Sequence, residues 1–262
     1  MKNVRAKKSL GQHFLKDEKV AQKIVNTLSL HNGYKNVLEI GAGMGVLTSY
    51  LLENKDYKLK IAEIDSESVV YLKKHFLLND SQIIEADVLK LNLHEIFNSE
   101  PFAILGNLPY NISSQIFFKI LEYKDQVPEA VCMIQKEVAL RIAASPGGRV
   151  CGILSILIQA YYDVKYEFTV GPEVFSPPPK VQSAVISLKR NKRKNLPCDE
   201  RWFFRIVKVG FGTRRKTLRN ALKSLQFPEN FDMEILKQDI FSKRAEQLSV
   251  EDFIGVTKMI SE

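Results

Sequence analysis

The sequence has 262 residues, of which 45% are hydrophobic and 26% charged, and this ordinary composition predicts a globular protein with a sizeable core, in one large domain or in a large and a small one. Its net charge of +8 indicates an anionic partner, and its three widely spaced cysteines indicate neither a disulfide framework nor a cysteine metal site, as in a protein of the reducing cytoplasm. The most apolar window, 151–160, is much shorter than the roughly 20 residues of a membrane helix, so no membrane contact is expected.

The N-terminal segment is basic, but no apolar run follows its Lys and Arg residues, so no export signal is expected. The segment ends at 9–15, which includes His13, and precedes a predicted helix that Asp17 could cap. A lone histidine is more often a surface imidazole than a functional group, and these residues alone leave both interpretations of His13 open.

Residues 37–45 are typical of a buried strand that ends in a glycine turn, and a helix is predicted directly behind it, at 46–52. Gly41, Gly43 and Gly45 let the backbone turn tightly and approach a ligand, while the start of the helix offers unpaired N–H groups. This pattern predicts a nucleotide-binding turn. The glycine spacing is G-x-G-x-G rather than the G-x-G-x-x-G of dinucleotide-binding proteins, which argues against NAD.

Acidic residues stand within or directly after the first two predicted strands. Glu39 lies inside the first strand, where a carboxylate is costly unless it has a partner such as a ligand amine. Glu63 and Asp65 end the second strand, at the place of the ribose-binding acid in a doubly wound sheet. Glu63 is therefore the candidate for binding two ribose hydroxyls, although each of these acids taken alone could equally be a solvated residue at a strand end.

After the glycine turn, strand-like and helix-like segments alternate along the chain. Strands are predicted at 59–64, 82–85, 101–106 and 129–135, and helices at 66–79, 113–123 and 136–145. Such alternation predicts a parallel sheet with helices on both faces, which binds its ligand beyond the carboxyl ends of the strands. Asp87, which follows one of these strands, is a candidate partner for an adenine amino group or, alternatively, an ordinary turn acid.

The next strand is followed by a side-chain amide, a rigid proline and an aromatic ring. Asn107 offers a carbonyl acceptor, Pro109 stiffens the turn and Tyr110 offers a flat face, so the segment could hold a planar base with an exocyclic amine. The alternative is a type I turn, in which Asn and Pro are common. Further on, the proline-rich loop within 174–185 fixes Phe175, either as a second stacking surface for a base or as a core residue.

A charged linker at 190–197 is the predicted domain boundary, and it divides the chain into residues 1–190 and a helical part at 191–262. The second part holds 15 Lys+Arg and 10 Asp+Glu, a net of +5, which leaves +3 for the first part. The smaller part is therefore the more basic.

Three cations lie in the first turn of a helix predicted in this smaller part, Arg214, Arg215 and Lys216, and Arg219 follows them in the same helix as a further candidate RNA contact. Cations at that end oppose the helix dipole, at a cost of a few tenths to about 1 kcal/mol each, whereas a bound phosphate would reverse the sign of the interaction. This placement favours contact with an RNA or DNA backbone over a solvated basic face.

Taken together, these motifs closely resemble the bacterial ribosomal small-subunit adenine N6-dimethyltransferases, the family whose loss gives kasugamycin resistance, and the resemblance extends nearly from end to end. The segments that carry it are GQHFL at 11–15, LEIGAG at 38–43, EID at 63–65, Asp87, NLPY at 107–110, FSPPPKV at 175–181, RRKTLR at 214–219 and RAEQLS at 244–249. The first five occur across the adenine N6-methyltransferases of ribosomal RNA, and the last two are much closer to the small-subunit branch.

The resemblance implies an α/β fold, with the Rossmann-like sheet of class I S-adenosylmethionine-dependent methyltransferases in 1–190 and a small all-helical RNA-binding domain in 191–262. It implies that S-adenosylmethionine, without a metal, is bound by His13, Leu15, Gly41, Glu63, Asp87 and Asn107. The implied substrate is N6 of two adjacent adenosines near the 3′ end of 16S rRNA, in the small (30S) ribosomal subunit and late in its assembly. A monomeric enzyme is expected.

Two positions depart from the family pattern. His13 stands where many relatives have Asn, which is a tolerated polar exchange. The segment 151–155 lacks an arginine that is common in relatives, so an RNA contact expected in that region loses this side chain. Arg149 is close by in the sequence.

The adenine amine is a poor nucleophile because its lone pair is delocalised into the ring. The Asn107 side-chain oxygen and the Leu108 backbone carbonyl are expected to accept its hydrogens, while Tyr110 and Phe175 stack on the flipped base; Pro109 completes this catalytic motif. Because the methyl donor already carries positive charge, alignment and desolvation can supply most of the catalysis, with no strong general base or metal.

The alternatives from other classes are a nucleotide-dependent oxidoreductase and a non-catalytic RNA-binding assembly factor. The glycine spacing disfavours the first, and the combination of Asn107–Tyr110 with an intact cofactor turn disfavours the second. Within the enzymes, the alternative is an adenine methyltransferase of the large subunit.

Overall fold

The computed structural model describes residues 4–145, 147–148, 150–213, 215–229 and 231–261. The chain divides into two compact units. Unit one comprises Met1–Ala139 and Asp163–Arg190, and unit two comprises Leu140–Tyr162 and Asn191–Glu262. None of the described helices is long and apolar enough to cross a membrane.

A seven-stranded sheet forms the centre of unit one. The strands are β1 (Phe14–Leu15), β2 (Asn36–Ile40), β3 (Lys58–Glu63), β4 (Ile83–Glu85), β5 (Phe102–Asn107), β6 (Glu129–Gln135), β7 (Tyr162–Val170), β8 (Phe175–Ser176) and β9 (Ser183–Arg190). Their order in the large sheet is β4-β3-β2-β5-β6-β9-β7. The four pairings from β4 to β6 are all parallel, so the parallel sheet predicted from the sequence is confirmed over these strands.

The far side of the sheet departs from the predicted parallel arrangement, because β9 pairs with β6 in antiparallel register. In the sheet, β9 lies between β6 and β7. Two parallel neighbours need a crossover of roughly a dozen or more residues between them, usually a helix. The chain passes from β7 to β9 through only a single turn of 3-10 helix, Pro172–Val174, and the short strand β8, without such a helix. β8 pairs instead with β1 in a separate two-stranded antiparallel sheet, which places Leu15 opposite Phe175.

The helices follow the periodic segments of the sequence. They are α1 (Glu18–Val25), α2 (Val46–Glu53), α3 (Ser66–His75), α4 (Leu93–Ile96), α5 (Ser113–Glu122), α6 (Lys136–Ile142), α7 (Ile153–Gln159), α8 (Glu200–Gly212), α9 (Leu218–Leu222) and α10 (Val250–Ser261). As predicted, Asp17 caps α1, accepting a hydrogen bond of 2.9 Å from the Val20 N–H. α3 is shorter than predicted, because Phe76 adopts an extended backbone that ends the helix at His75.

A buried carboxylate fastens the chain at the edge of the sheet where β6 begins. Glu129 is fully buried and accepts hydrogen bonds from the Ser29 hydroxyl at 2.7 Å, the Ser29 N–H at 3.0 Å and the Tyr34 hydroxyl at 2.8 Å. A buried charge is tolerated when hydrogen bonds replace its hydration, as they do here. The loop between α1 and β2 is thereby held against β6.

Unit two is built around α8, whose buried residues pack against its neighbouring helices α7, α9 and α10. The predicted boundary at 190/191 coincides with one boundary between the units, but 140–162, which the sequence analysis assigned to the first domain, belongs to unit two. The physical reason is that α7 packs on α8. The Asn191 N–H also donates to the Tyr161 carbonyl at 2.9 Å, which joins the two stretches.

Candidate active site

A cleft in unit one opens beyond the carboxyl ends of β2, β3, β4 and β5, which is where a parallel sheet is expected to bind its ligand. Its empty volume is about 920 Å³, part of which is open to solvent. It is lined by residues 10–14, Ile40, Gly41, Gly43, Ala62, Glu63, Ile64, residues 86–89 and residues 107–112. The glycine turn, the predicted acids Glu63 and Asp87 and the Asn107–Tyr110 motif therefore meet in one site.

The glycine turn forms part of the cleft wall with bare backbone. Gly41 has φ +70° and Gly43 has φ +57°, which L side chains rarely adopt. A Cβ at Gly43 would lie 2.8 Å from the Phe14 ring, so any larger residue there would displace that ring. At Gly41 a Cβ would point toward the Asn107 carbonyl oxygen and Pro109, each 3.9 Å away, and would take up space in the cleft.

Glu63 holds this turn and lines the cleft at the same time. It is 3% exposed; its Oε2 accepts from the Gly43 N–H and its Oε1 from the Asp65 N–H, both at 2.9 Å. Burial raises the pKa of the Glu63 carboxyl, and these backbone donors act in the opposite direction. The side chain is therefore fixed where a ligand could share its oxygens.

Glu39 lies behind the glycine turn and is fully buried. Its Oε2 accepts from the Thr48 hydroxyl at 2.7 Å, while its Oε1 has no hydrogen-bond partner among the described residues. Burial raises the pKa of the Glu39 carboxyl to about 8, and the nearby Glu63 contributes in the same direction. Glu39 is not part of the cleft lining, and its hydrogen-bond partner is Thr48 rather than the ligand amine expected from the sequence.

This burial predicts a dependence of stability on pH. The unfolded chain releases the Glu39 proton near the ordinary glutamate pKa of 4.5, whereas the folded protein keeps it up to about 8, so the Glu39 contribution falls as pH rises through this window. Glu39→Gln stays neutral, and its free energy of unfolding relative to the parent should therefore rise from pH 5 to pH 8. Urea unfolding of both proteins at several pH values measures this, and a constant difference would contradict it.

A polar clamp fastens the N-terminal segment over the cleft. Asp65, 2% exposed, accepts hydrogen bonds from Gln12 Nε2 at 3.0 Å and from Lys7 Nζ, which also lies 3.2 Å from Glu67. Burial acts to raise the pKa of Asp65, but the hydrogen bonds from Lys7 and Gln12 outweigh it and hold the pKa below its usual value. Asp65 is thus a structural anchor for the segment that carries His13.

Asn107 connects this segment to the end of β5. Its Nδ2 donates to the His13 carbonyl oxygen at 2.9 Å, and because the amide nitrogen is used in this way, Oδ1 is the acceptor end of the side chain. The adjoining Leu108 N–H donates to the Met133 carbonyl at 3.0 Å, which ties the motif to β6. Asn107 is consequently held in one orientation from two sides.

Tyr110 is half-buried and its ring is also held in place. Its hydroxyl lies 2.6 Å from the Ser183 hydroxyl, and its ring centroid is 5.6 Å from that of His13. The His13 ring in turn contacts the Pro177 carbonyl at 2.8 Å through Nδ1. His13 is therefore part of the cleft wall and not an isolated surface imidazole.

Two predicted site residues lie outside the cleft lining. Leu15 is 4% exposed and Phe175 is 1% exposed, and both belong to the hydrophobic core of unit one. The Phe175 ring is not presented to the cleft here, so the core alternative weighed for it from the sequence describes its position. The reason is its pairing with Leu15 between β8 and β1.

The predicted phosphate-binding cations lie in unit two. Arg214 lies outside the described residues, Arg215 and Lys216 are exposed, and Arg219 is half-buried. α9 begins only at Leu218, so Arg215 and Lys216 precede the helix instead of occupying its first turn as predicted. The cause is the extended backbone of Thr217, at φ −66° and ψ 157°.

Two residues that line or support the cleft were missed in the sequence. Ile64 is 50% exposed although apolar, and it lines the cleft directly after Glu63; an apolar residue next to a strand-end acid could have indicated it. Lys119 is 8% exposed and donates to the Leu91 carbonyl at 2.8 Å and the Leu89 carbonyl at 3.3 Å, fixing the turn that follows Asp87. No local pattern reveals Lys119, because its acceptors are distant in sequence.

The described residues include no group of three or more His, Cys, Asp or Glu side chains that could hold a metal ion.

The chain, from residue 3 to residue 262, matches the model of the family described as ribosomal RNA adenine dimethylase.

Relatives of high identity cover the full length. The chain is 56% identical over 261 residues to the ribosomal RNA small subunit methyltransferase A of Cytophaga hutchinsonii, covering 100% of this chain and 99% of that protein. It is 54% identical to the protein of the same name from Bacteroides thetaiotaomicron, covering 100% of this chain and 96% of that protein.

Solved structures agree with these matches. A dimethyladenosine transferase from Plasmodium falciparum superposes with a TM-score of 0.76 at 28% identity, covering 92% of this chain and 95% of the other. The 23S rRNA methyltransferase ErmE superposes with a TM-score of 0.65 at 25% identity, covering 93% and 99%. The fold is that of the class I methyltransferases, as predicted, and the chain belongs to the ribosomal RNA adenine dimethylase family.

Proposed function

We propose that this protein dimethylates N6 of two adjacent adenosines near the 3′ end of 16S rRNA, within the small ribosomal subunit of the cytoplasm and late in its assembly. S-adenosylmethionine is the methyl donor and no metal takes part. The observation that carries the proposal is the orientation of Asn107, whose amide nitrogen is bound to the His13 carbonyl so that its oxygen is left to accept from an amine. The protein acts as a monomer.

Several features of the cleft fit S-adenosylmethionine. Gly41 has no side chain at a point where one would occupy the cleft. The buried Glu63 carboxylate is suited to two ribose hydroxyls, and Asp87 lines the same wall and can accept from an adenine amino group. Ile64 offers an exposed apolar surface beside Glu63, against which a base can pack. His13 belongs to the same wall, and Leu15 supports it from the core.

When bound, S-adenosylmethionine supplies a methyl group activated by a positively charged sulfonium. The contribution of the protein is to hold the amine in place. The Asn107 Oδ1 and the Leu108 carbonyl oxygen accept hydrogen bonds from the N6 amine. These hydrogen bonds turn the amine so that its lone pair leaves conjugation with the ring. Tyr110 stacks on the extruded base, with its ring fixed through Ser183, and Pro109 keeps the turn rigid. Water is excluded by the N-terminal segment, which Asp65 anchors.

The RNA is bound largely by unit two. Sequence counts give this unit 17 Lys+Arg and 10 Asp+Glu, a net of +7, and leave 21 and 20, a net of +1, for unit one. Arg215 and Lys216 are exposed and, together with Arg219 and Arg214, are proposed to contact phosphates.

The decisive experiment supplies labelled S-adenosylmethionine to unmethylated small subunits and, separately, to large-subunit RNA. We expect dimethyladenosine at two adjacent positions in the small subunit and no label in the large-subunit RNA. Label confined to the large-subunit RNA would replace this proposal by the alternative within the same family.

The role of Glu63 predicts a loss of cofactor affinity. Glu63→Ala should weaken the binding of S-adenosylmethionine by about 1–3 kcal/mol, the range for removing hydrogen bonds to a charged group. Calorimetric titration measures this. Glu85 is the matched control, because it lies opposite Glu63 in the register of β3 and β4 but outside the cleft lining, and Glu85→Ala should bind like the parent. Equal affinity of Glu63→Ala and the parent would remove Glu63 from the ribose role.

A further inference from the structure

The outward face of α8 in unit two carries three basic residues. The helix buries Phe203, Ile206, Val207, Gly210 and Phe211. Arg201, Arg205 and Lys208 are all exposed, and their spacing of four and three residues places them on one face, opposite the buried one. At 1.5 Å per residue this basic stripe (Arg201, Arg205 and Lys208) extends over roughly 10 Å.

Within the helix, the neighbours of Arg201 and Arg205 at helical spacing are not acidic. The positions three and four residues before and after each of the three cations hold no Asp or Glu. The one acid in the sequence of α8, Glu200, accepts a hydrogen bond from the Tyr161 hydroxyl. Like charges at such spacing destabilise a helix, so the pair Arg201 and Arg205 is favoured by a polyanion that lies along this face.

Trp202 adds an aromatic surface beside the stripe. The Arg205 guanidinium lies over the Trp202 ring, 4.5 Å from its centroid, which orients the planar cation. A guanidinium fixed in this way matches a phosphate group in two parallel hydrogen bonds, and a half-exposed indole can stack on an unpaired base.

We infer that the outward face of α8 is a second RNA-binding surface, in which the basic stripe contacts the phosphate backbone of ribosomal RNA and Trp202 lies beside the bound strand. The inference rests on the proposed function, since it takes ribosomal RNA as the polyanion. It is independent of Arg214, Arg215 and Lys216, which belong to a different segment of unit two. The strong positive charge of unit two provides the long-range attraction.

Trp202 makes the surface directly observable, because it is the only tryptophan of the chain. We expect its fluorescence to change when unmethylated 16S rRNA is added, and the change to saturate with the binding isotherm. Intact small subunits contain tryptophans of their own, so the RNA alone is the probe for this measurement.

Salt dependence of small-subunit binding gives the second readout. Arg201→Gln combined with Arg205→Gln should lower the slope of log K against log salt concentration by about 1.4–1.8, that is, by about 0.7–0.9 for each lost phosphate contact. The matched control, Lys55→Gln combined with Lys74→Gln, removes the same charge from exposed positions of unit one and should leave the slope unchanged. Arg201→Lys with Arg205→Lys keeps the charge and should keep most of the slope, and the affinity for S-adenosylmethionine should be parental in all three variants.

Several outcomes overturn the inference. An unresponsive Trp202 and an unchanged slope, in a protein that still binds and methylates small subunits, would leave α8 a solvated face and leave the proposed function intact. An equal loss of slope in the control would reduce the effect to net charge. A parent protein that neither binds ribosomal RNA nor methylates it would remove the proposed function and this inference together.

Discussion

Asn107→Ala is expected to reduce the single-turnover rate of methyl transfer by about 100- to 1,000-fold, the range for removing one preorganised hydrogen-bonding group that acts on the transition state. The Asn107 oxygen accepts from the amine most strongly when the nitrogen turns toward the methyl donor, so its loss acts on the chemical step more than on binding. Small-subunit affinity should change little, because the basic residues of unit two supply most of it.

Rapid-quench measurements on unmethylated small subunits, with subunit binding measured in parallel, separate these two quantities. Asn107→Asp is the informative companion, because it keeps an acceptor oxygen but adds a charge that attracts the sulfonium and loses the amide donor to the His13 carbonyl. Its loss of rate should be partial. A parental rate in Asn107→Ala, or a loss that lies wholly in binding, would show that the assigned mechanism is wrong.

Tyr110→Ala is expected to be the second most damaging substitution of the site. Stacking of an aromatic ring on a base contributes about 1–3 kcal/mol, so removing the ring should lower the rate at limiting substrate by up to roughly a hundredfold. Tyr110→Phe keeps the ring and loses only the hydrogen bond to Ser183, which costs about 1 kcal/mol. Its rate should remain within about tenfold of the parent.

Ser183→Ala is the matched control for that hydrogen bond, because it removes the same contact from the other side without touching the ring. It should behave like Tyr110→Phe in single-turnover methyl transfer. If Tyr110→Phe were as slow as Tyr110→Ala, the hydroxyl and not the ring would carry the function, and the stacking role would have to be given up.

Much of the site could be predicted because its residues lie in short segments of the sequence, directly after predicted strands. A parallel sheet brings the carboxyl ends of its strands to one edge, so residues that directly follow strands must meet there. Glu63, Asp87 and the Asn107–Tyr110 motif obey this rule and line one cleft. The strand, the glycine turn and the helix from Val37 to Leu52 were predictable for a similar reason, since each is determined by neighbours in the sequence.

The tertiary structure decided what depends on contacts between distant segments. Phe175 looks equally suitable for a base or a core in the sequence, and its pairing with Leu15, far away in the chain, buries it. The assignment of 140–162 to unit two depends on the packing of α7 against α8. Local periodicity shows which face of a segment is apolar, but not which other segment covers it.

The same distinction applies within the cleft. The sequence by itself determined that Asn107 stands at the end of a strand, with an amide suited to an amine. Only the fold decided that its nitrogen donates to the His13 carbonyl, 94 positions away, and that Lys119 fixes the turn after Asp87. A side chain acquires an orientation from its partners, and these partners become neighbours only when the sheet assembles and the N-terminal segment closes over its edge.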